Sequence, residues 1–171
     1  FARQSFDVLV NYRASEASAR TVVEQCRTLG ADALAVQGDV AEDSACRRIA
    51  AEAVKRWGRI DVLVNSAGVG QGARPTLDAE FREWTSILDL NLTGTYLMSQ
   101  EIARGMRSAG GGVILNLSSI AGVIGLPLRI TVSKRSLEGG GRKPSPSRAA
   151  DGGSASVTAL PSAKRAPAKT A

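Results

Sequence analysis

The sequence predicts an α/β domain with a doubly wound parallel sheet, in which helices cover both faces of the strands. Short continuous apolar runs, typical of strands that are buried on both faces, alternate with helical patterns of about 15 residues. Two of these helical patterns end at a glycine, Gly30 or Gly58, which is a common helix stop. Strands that are joined through helices imply right-handed crossovers and hence a parallel sheet.

The first half of the chain contains two strand–helix pairs. The segment DVLVNY (Asp7–Tyr12) predicts the first strand, and apolar residues at helical spacing in SEASARTVVEQCRTLG predict the first helix. A second strand is predicted in DALAVQGDV, and the helical pattern returns in EDSACRRIAAEAVKRWG. These two pairs form the first half of the predicted sheet.

The second half continues the alternation, with one longer helical stretch. A strand is predicted in IDVLVNSAG, a long helix from about Asp78 to Ala109, and another strand in GVILNLSS. In this class of fold, ligands bind beyond the carboxyl ends of the strands. That rule selects four candidate segments, namely Asn11–Ser15, Gly38–Val40, Asn65–Gly68 and Asn116–Ser119.

Composition limits the kinds of function that this chain can have. The 171 residues carry a net charge of +6, but residues 1–138 hold 16 basic against 15 acidic residues, so the excess lies in the tail. No histidine is present, which excludes histidine-based catalysis and histidine-ligated metal within this chain. Cys26 and Cys46 fall at apolar helical positions and are interpreted as reduced core thiols. No membrane span or signal peptide is apparent, so we expect a cytoplasmic protein, and the first residue, Phe1, suggests that an N-terminal part is missing.

Residues 139–171 have a different composition. The only large apolar side chains here are Val157 and Leu160, whereas four of the six prolines and a net charge of +5 lie in this stretch. Such a segment can bury too little apolar surface to offset the conformational entropy that it would lose on folding, so we expect a disordered basic tail. Two origins stay open: a reading-frame shift near Gly139–Gly141, or a genuine disordered tail.

Five strand-end motifs occur in an order that resembles the short-chain dehydrogenases/reductases. They are VLVNYR, GDV, LVNSAG, NLTG and ILNLSSIAG, and the resemblance extends over about residues 6–138. The family has a Rossmann-like fold and is NAD(P)(H)-dependent. It reduces carbonyls or oxidises alcohols by hydride transfer. The resemblance therefore implies an oxidoreductase for a small carbonyl or alcohol substrate, of the 3-oxoacyl reductase type.

The candidate cofactor residues lie at three strand ends. Small residues in the SAG motif leave room for a cofactor to approach the backbone, and Asp39 is either an acceptor for an adenine amine or a cap for the following helix. No acid follows the first strand before Glu16, and Arg13 offers a fork of donors suited to a 2′-phosphate, so NADP(H) is favoured over NAD(H). Alternatively, Arg13 is a solvated surface charge. The full set is Asn11, Arg13, Ser15, Asp39, Val40, Asn65, Ser66, Ala67 and Gly68.

The resemblance also assigns catalytic roles. Asn91 matches the family's helix-breaking Asn, which holds a water near the active-site Lys, although a helical kink is an alternative reading. Ser119 matches the Ser that hydrogen-bonds the substrate oxygen, with turn chemistry as its alternative. Lys134 matches the Lys of the family's Tyr-x-x-x-Lys pattern. The family's Tyr is absent, because Ile130 lies four residues before Lys134 and the only tyrosines are Tyr12 and Tyr96.

Other parts of the family pattern are missing from the sequence. The glycine-rich turn that holds the pyrophosphate and the strand before it are absent, as are the helix and strand expected after SLEGG. We therefore expect a sheet with a gap one strand wide and a chain that is inactive as given. Two alternatives stay open: a non-catalytic member that binds a nucleotide or partner and, more weakly, a nucleic-acid-binding protein acting through the basic tail. Family members are usually homodimers or homotetramers.

Overall fold

Strands and helices follow the predicted order along the first 119 residues. The computed structural model of the chain describes residues 1–70, 76–119 and 158–163. The strands are β1 (Phe6–Tyr12), β2 (Ala33–Gln37), β3 (Val62–Asn65), β4 (Val113–Asn116) and β5 (Thr158–Ala163). The helices are α1 (Glu16–Thr28), α2 (Asp43–Trp57), α3 (Phe81–Leu88) and α4 (Gly94–Ser108).

The first four strands pair in parallel, as the alternation of strands and helices predicts. β1 pairs with β2 from Val8↔Ala33 to Tyr12↔Gln37, and β3 pairs with β4, beginning at Val62↔Val113. Because parallel strands run in one direction, the residues that follow β1 and β2 emerge at the same edge of the sheet.

The core lies on both faces of β1, which confirms the doubly wound class. Leu9 points into a cluster with side chains of α2, β3 and α4, including Ile49, Leu63 and Ile102. Val8 and Val10 point to the opposite face, toward a second cluster that includes Ala19, Val23 and Cys26 of α1. Successive side chains of a strand alternate between faces, so a continuous apolar run requires helices on both sides.

The two cysteines are buried and unbridged, in agreement with their interpretation as core thiols. The Cys46 Sγ donates a hydrogen bond to the Val40 carbonyl oxygen at 3.2 Å. Burial, which disfavours the charged thiolate, raises the pKa of Cys46 to about 11. A neutral thiol is therefore the state that the fold stabilises.

We expect Cys46 to resist iodoacetamide at pH 8 in the folded protein and to react after unfolding in urea, because the thiolate is the nucleophile. Its folded pKa lies above the value of about 8.5 for an unfolded thiol. The resulting stabilisation is fully present below about pH 8.5 and is lost as the pH rises toward the folded pKa. Urea unfolding between pH 7.5 and 10.5 measures this loss, and Cys46→Ala should remove that part of the pH dependence. Rapid alkylation of native Cys46 would contradict the assignment.

The predicted helix from Asp78 to Ala109 is interrupted. A 3₁₀ turn covers Thr76–Asp78, and a π-helical turn at Asp89–Thr93 separates α3 from α4. At the interruption, the Thr95 hydroxyl donates to the Asn91 carbonyl oxygen at 2.9 Å. Asn91 thus lies in a π-turn, a feature often found at functional sites, and the alternative that it marks only a kink stays open.

The strand β5 departs from the disorder expected for residues 139–171. It lies antiparallel to β1, from Phe6↔Ala163 to Asn11↔Thr158, whereas β1 and β3 do not pair with each other. An uncovered strand edge presents main-chain donors and acceptors that can pair with an extended segment through its backbone. The predicted one-strand gap beside β1 thus accommodates β5, and the other residues of 139–171 lie outside the described residues.

Candidate functional site

A cleft lies at the shared edge of the sheet where β1 and β2 end. It is lined by Asn11, Tyr12, Arg13, Ala14, Ser15, Gly38, Asp39, Val40, Ala67, Val69 and Leu90. Six of the nine predicted cofactor residues are among them: Asn11, Arg13, Ser15, Asp39, Val40 and Ala67. Three are not, namely Asn65, Ser66 and Gly68. The sequence analysis did not select Val69 and Leu90, because an apolar side chain gives no sign in the sequence that it lines a cleft.

Asn11 links the end of β1 to the end of β2, beside the cleft. Its side chain is buried, and its amide nitrogen donates to the carbonyl oxygens of Val36 at 3.1 Å and Gly38 at 3.0 Å. Both bonds reach across to the end of β2, so the side chain braces the turn that carries Asp39. This donor is used within the protein.

Arg13 and Asp39 face each other across the cleft. The Arg13 guanidinium lies 3.5 Å from the Asp39 carboxylate, and the Asp39 Oδ1 accepts the backbone N–H of Ala41 at 3.0 Å. That bond makes a local Asp turn before α2, whose N-cap is Glu42, so Asp39 does not cap the helix as the alternative suggested. The Arg13 side chain is more than half exposed, so the alternative of a solvated surface charge stays open.

The end of β3 forms a polar network under the cleft. The Asn65 side chain is buried, and its amide nitrogen donates to the Ser99 Oγ at 2.9 Å and the Asn116 Oδ1 at 2.8 Å. These bonds tie β3 to α4 and β4. The Asn65 amide therefore holds three elements of the fold together and is not among the groups that face the cleft.

Asn91 fixes the segment that follows β3. Its Oδ1 accepts the Val69 N–H at 2.8 Å, and its Nδ2 donates to the Val69 carbonyl oxygen at 2.8 Å. A Cβ on Gly68 would lie 3.3 Å from the Asn91 Oδ1, so a small residue suits this position. The reciprocal pair positions Val69 as a wall of the cleft.

The predicted catalytic group is described only in part. Ser119 is exposed and follows the end of β4, whereas Lys134 and Ile130 lie outside the described residues. The roles assigned to Asn91, Ser119 and Lys134 therefore stay predictions. Within residues 1–70, 76–119 and 158–163, no group of His, Cys, Asp or Glu side chains could hold a metal ion.

A second charged group lies at the amino end of β2, away from the cleft. Asp32 accepts hydrogen bonds from Arg56 at 2.7 Å and from the Trp57 indole at 3.0 Å, and its own N–H donates to Asp7. The hydrogen bond from Arg56 is the main reason that the pKa of Asp32 is lowered. These contacts join α2 to the sheet. The charges of Asp32 and Arg56 are paired with each other, so no ligand is needed to account for them.

The substitution Gly94→Ala tests the contact between α4 and the cleft. A Cβ there would lie 2.9 Å from a Val40 methyl group and 3.1 Å from the Val40 carbonyl oxygen, which no change of rotamer can move. Overpacking costs about 1–3 kcal/mol, which exceeds the helix-propensity gain of about 1 kcal/mol. We expect a net loss of about 1 kcal/mol in the free energy of unfolding, measured by urea denaturation.

Gly105→Ala is the matched control in the same helix. Nothing lies within 4 Å of a Cβ at Gly105, so only the propensity gain applies. We expect stabilisation by about 1 kcal/mol. Equal stabilisation by both substitutions would show that α4 and Val40 are not in close contact.

Comparisons with known proteins identify the family to which this chain is similar. A family model described as short chain dehydrogenase matches residues 1–133. Among curated proteins, the chain is 34% identical over 126 residues to a 3-oxoacyl-[acyl-carrier-protein] reductase of Staphylococcus aureus, covering 74% of this chain and 51% of that protein. A reductase of the same name from Synechocystis is also 34% identical over 126 residues. The chain spans about half the length of the curated relatives it matches.

Solved structures of dehydrogenases are also similar to this chain. An acetoin dehydrogenase from Enterobacter cloacae matches with a TM-score of 0.68 and 32% identity, covering 75% of this chain and 51% of that one. A gluconate 5-dehydrogenase from Burkholderia cenocepacia, in complex with NADP and tartrate, matches with a TM-score of 0.63 and 33% identity, covering 71% and 47%. Among the described residues of this chain, no helix is long and apolar enough to cross a membrane.

Proposed function

The chain belongs to the short-chain dehydrogenase family, and from that premise we propose that its cleft is the adenosine site of an NADP(H)-linked oxidoreductase of the 3-oxoacyl reductase type. In the complete reaction of such an enzyme, the nicotinamide supplies or accepts the hydride. The residues of this cleft would hold the other end of the cofactor. The observation that supports the proposal best is the pairing of an exposed guanidinium with a fixed carboxylate where β1 and β2 end.

The groups of the cleft fit an adenosine 2′-phosphate. Val40, Ala67 and Leu90 provide apolar walls for a purine, and Asp39 is an acceptor for its amino group. Arg13 provides donors for a phosphate, which a guanidinium binds well.

The first acid after β1 does not favour NAD(H). Glu16, the only acid near this strand end in the sequence, is bound to Arg20 at 2.7 Å in the first turns of α1. A ribose diol is recognised by a carboxylate at this end of the strand. Because Arg13 lines the cleft and Glu16 does not, the cleft suits a 2′-phosphate better than a free 2′-hydroxyl.

A second candidate is a non-catalytic member of the family that binds a nucleotide. The observation that favours it is Ile130, which stands where the family pattern has the tyrosine that donates the proton. Both candidates use the same cleft and differ in chemistry.

Titration of the ¹⁵N-labelled chain with adenosine 2′,5′-bisphosphate tests the site. We expect chemical-shift changes concentrated at the amides of residues 12–15 and 38–41, and weaker binding of 5′-AMP. NADPH should bind no more tightly than the bisphosphate, because the sequence lacks the glycine-rich turn that holds a pyrophosphate. Arg13→Gln should abolish the preference for the bisphosphate. Shift changes that map away from this cleft would refute the proposal.

A further inference from the structure

We propose that the Arg13–Asp39 ion pair competes with the 2′-phosphate, so that Asp39 is a specificity-determining residue that sets how strongly the cleft prefers a 2′-phosphorylated adenosine. This inference rests on the proposed function, since it assigns a new role within the same cleft. On this account, the nucleotide exchanges one ion pair for two contacts. The purine amino group meets Asp39, and the phosphate meets Arg13.

The carboxylate is the fixed partner of the pair. Its Oδ1 is held by the Ala41 N–H at 3.0 Å, and its side chain is only 27% exposed. The Oδ2 therefore points toward Arg13 in a position set by the backbone. A carboxylate held in this way can accept from a ligand without first rearranging.

The guanidinium is the movable partner. The Arg13 backbone is anchored, because the Gln37 Nε2 donates to its carbonyl oxygen at 3.0 Å, whereas its side chain is 60% exposed. The 3.5 Å separation from Asp39 is longer than the 2.7–2.9 Å typical of a charge-assisted hydrogen bond. An exposed pair of this kind is weak, so a phosphate can draw the guanidinium away.

Asp39→Asn separates this exchange from other effects. The amide oxygen still accepts the Ala41 N–H, but the NH2 group that replaces Oδ2 cannot accept from a purine amine, and the charge that competes for Arg13 is removed. Loss of the purine contact weakens both nucleotides, whereas release of Arg13 favours only the bisphosphate. We therefore expect the preference ratio, the dissociation constant of 5′-AMP divided by that of adenosine 2′,5′-bisphosphate, to rise by about two- to five-fold, the range of a weak exposed pair. 5′-AMP, which has the purine but no 2′-phosphate, is the reference for the loss of the purine contact.

A double-mutant cycle with Arg13→Gln tests the coupling. Dissociation constants for both nucleotides are measured by NMR titration on the full chain, its two single variants and the double variant. The gain in the preference ratio from Asp39→Asn should disappear in the Arg13→Gln background. Arg48→Gln is the matched charge control, since the Arg48 guanidinium donates to the Gln37 carbonyl oxygen beside the cleft. It should shift both affinities alike.

The outcomes distinguish the inference from the function on which it rests. If the bisphosphate is preferred but Asp39→Asn leaves the preference ratio unchanged or lowers it, the inference is overturned and the adenosine site stands. An equal gain with and without Arg13 also overturns it, because simple repulsion between Asp39 and the phosphate would then suffice. If no variant binds either nucleotide, both the inference and the proposed function fail.

Discussion

Reduction of a 3-oxoacyl thioester by NADPH should proceed at least about 10²–10⁴-fold more slowly with this polypeptide than with a family member that has the catalytic phenol, because that range is typical of general acid catalysis alone. Neither tyrosine of the chain occupies the position four residues before Lys134. Tyr12 lines the proposed adenosine cleft, and Tyr96 on α4 accepts a hydrogen bond from the Gln100 Nε2 at 2.7 Å. The position four residues before Lys134 is Ile130, which has no proton to donate.

The decisive assay compares NADPH consumption by the chain, by Ile130→Tyr and by Ile130→Phe. The phenylalanine variant is the control for aromatic bulk without a hydroxyl. We expect all three to remain close to one another, because a phenol alone does not supply the glycine-rich turn that positions the cofactor. The Staphylococcus aureus reductase serves as the active reference. Turnover by the given chain near that of the reference would show that Ser119 and Lys134 do not mark the active site.

The fold of residues 1–70 and 76–119 was predictable, because the spacing of apolar residues along the sequence indicates which faces of each strand and helix are buried. A strand such as β1 is apolar throughout, since both of its faces are covered, and the stop at Gly58 coincides with the end of α2, where this glycine has a φ of 82°. The strand β5 was not predictable on that basis. It pairs with β1 through its main chain, and its TALPSA sequence includes a proline, which cannot donate to a ladder.

The sequence predicted which segments form the candidate site, but it predicted few of the contacts that those segments make with one another. The rule that ligands bind at the carboxyl ends of strands selected the loops after β1 and β2, which line the cleft. It could not reveal that Asn91 binds the backbone of Val69, 22 residues away, or that Arg13 faces Asp39. Such pairs depend on how the loops meet in three dimensions, and residue type alone does not determine them.

Asn65 illustrates the same distinction, and its replacement should have the larger of the expected effects on stability. Asn65→Leu keeps the volume of the side chain but removes the donors to Ser99 and Asn116, which link β3 to α4 and β4. Both hydrogen bonds are partly buried, and water can reach the exposed Asn116, so their loss costs about 1–2 kcal/mol.

Urea denaturation of Asn65→Leu, Ser99→Ala and the double variant measures this network. Ser99→Ala removes only one of the two acceptors, so we expect a loss of about 1 kcal/mol. The double variant should be no less stable than Asn65→Leu, because Ser99 then no longer carries an unsatisfied oxygen. If Asn65→Leu left stability unchanged or raised it, the amide would have no structural role. Its predicted part in cofactor binding would then be the better explanation of an asparagine at the end of β3.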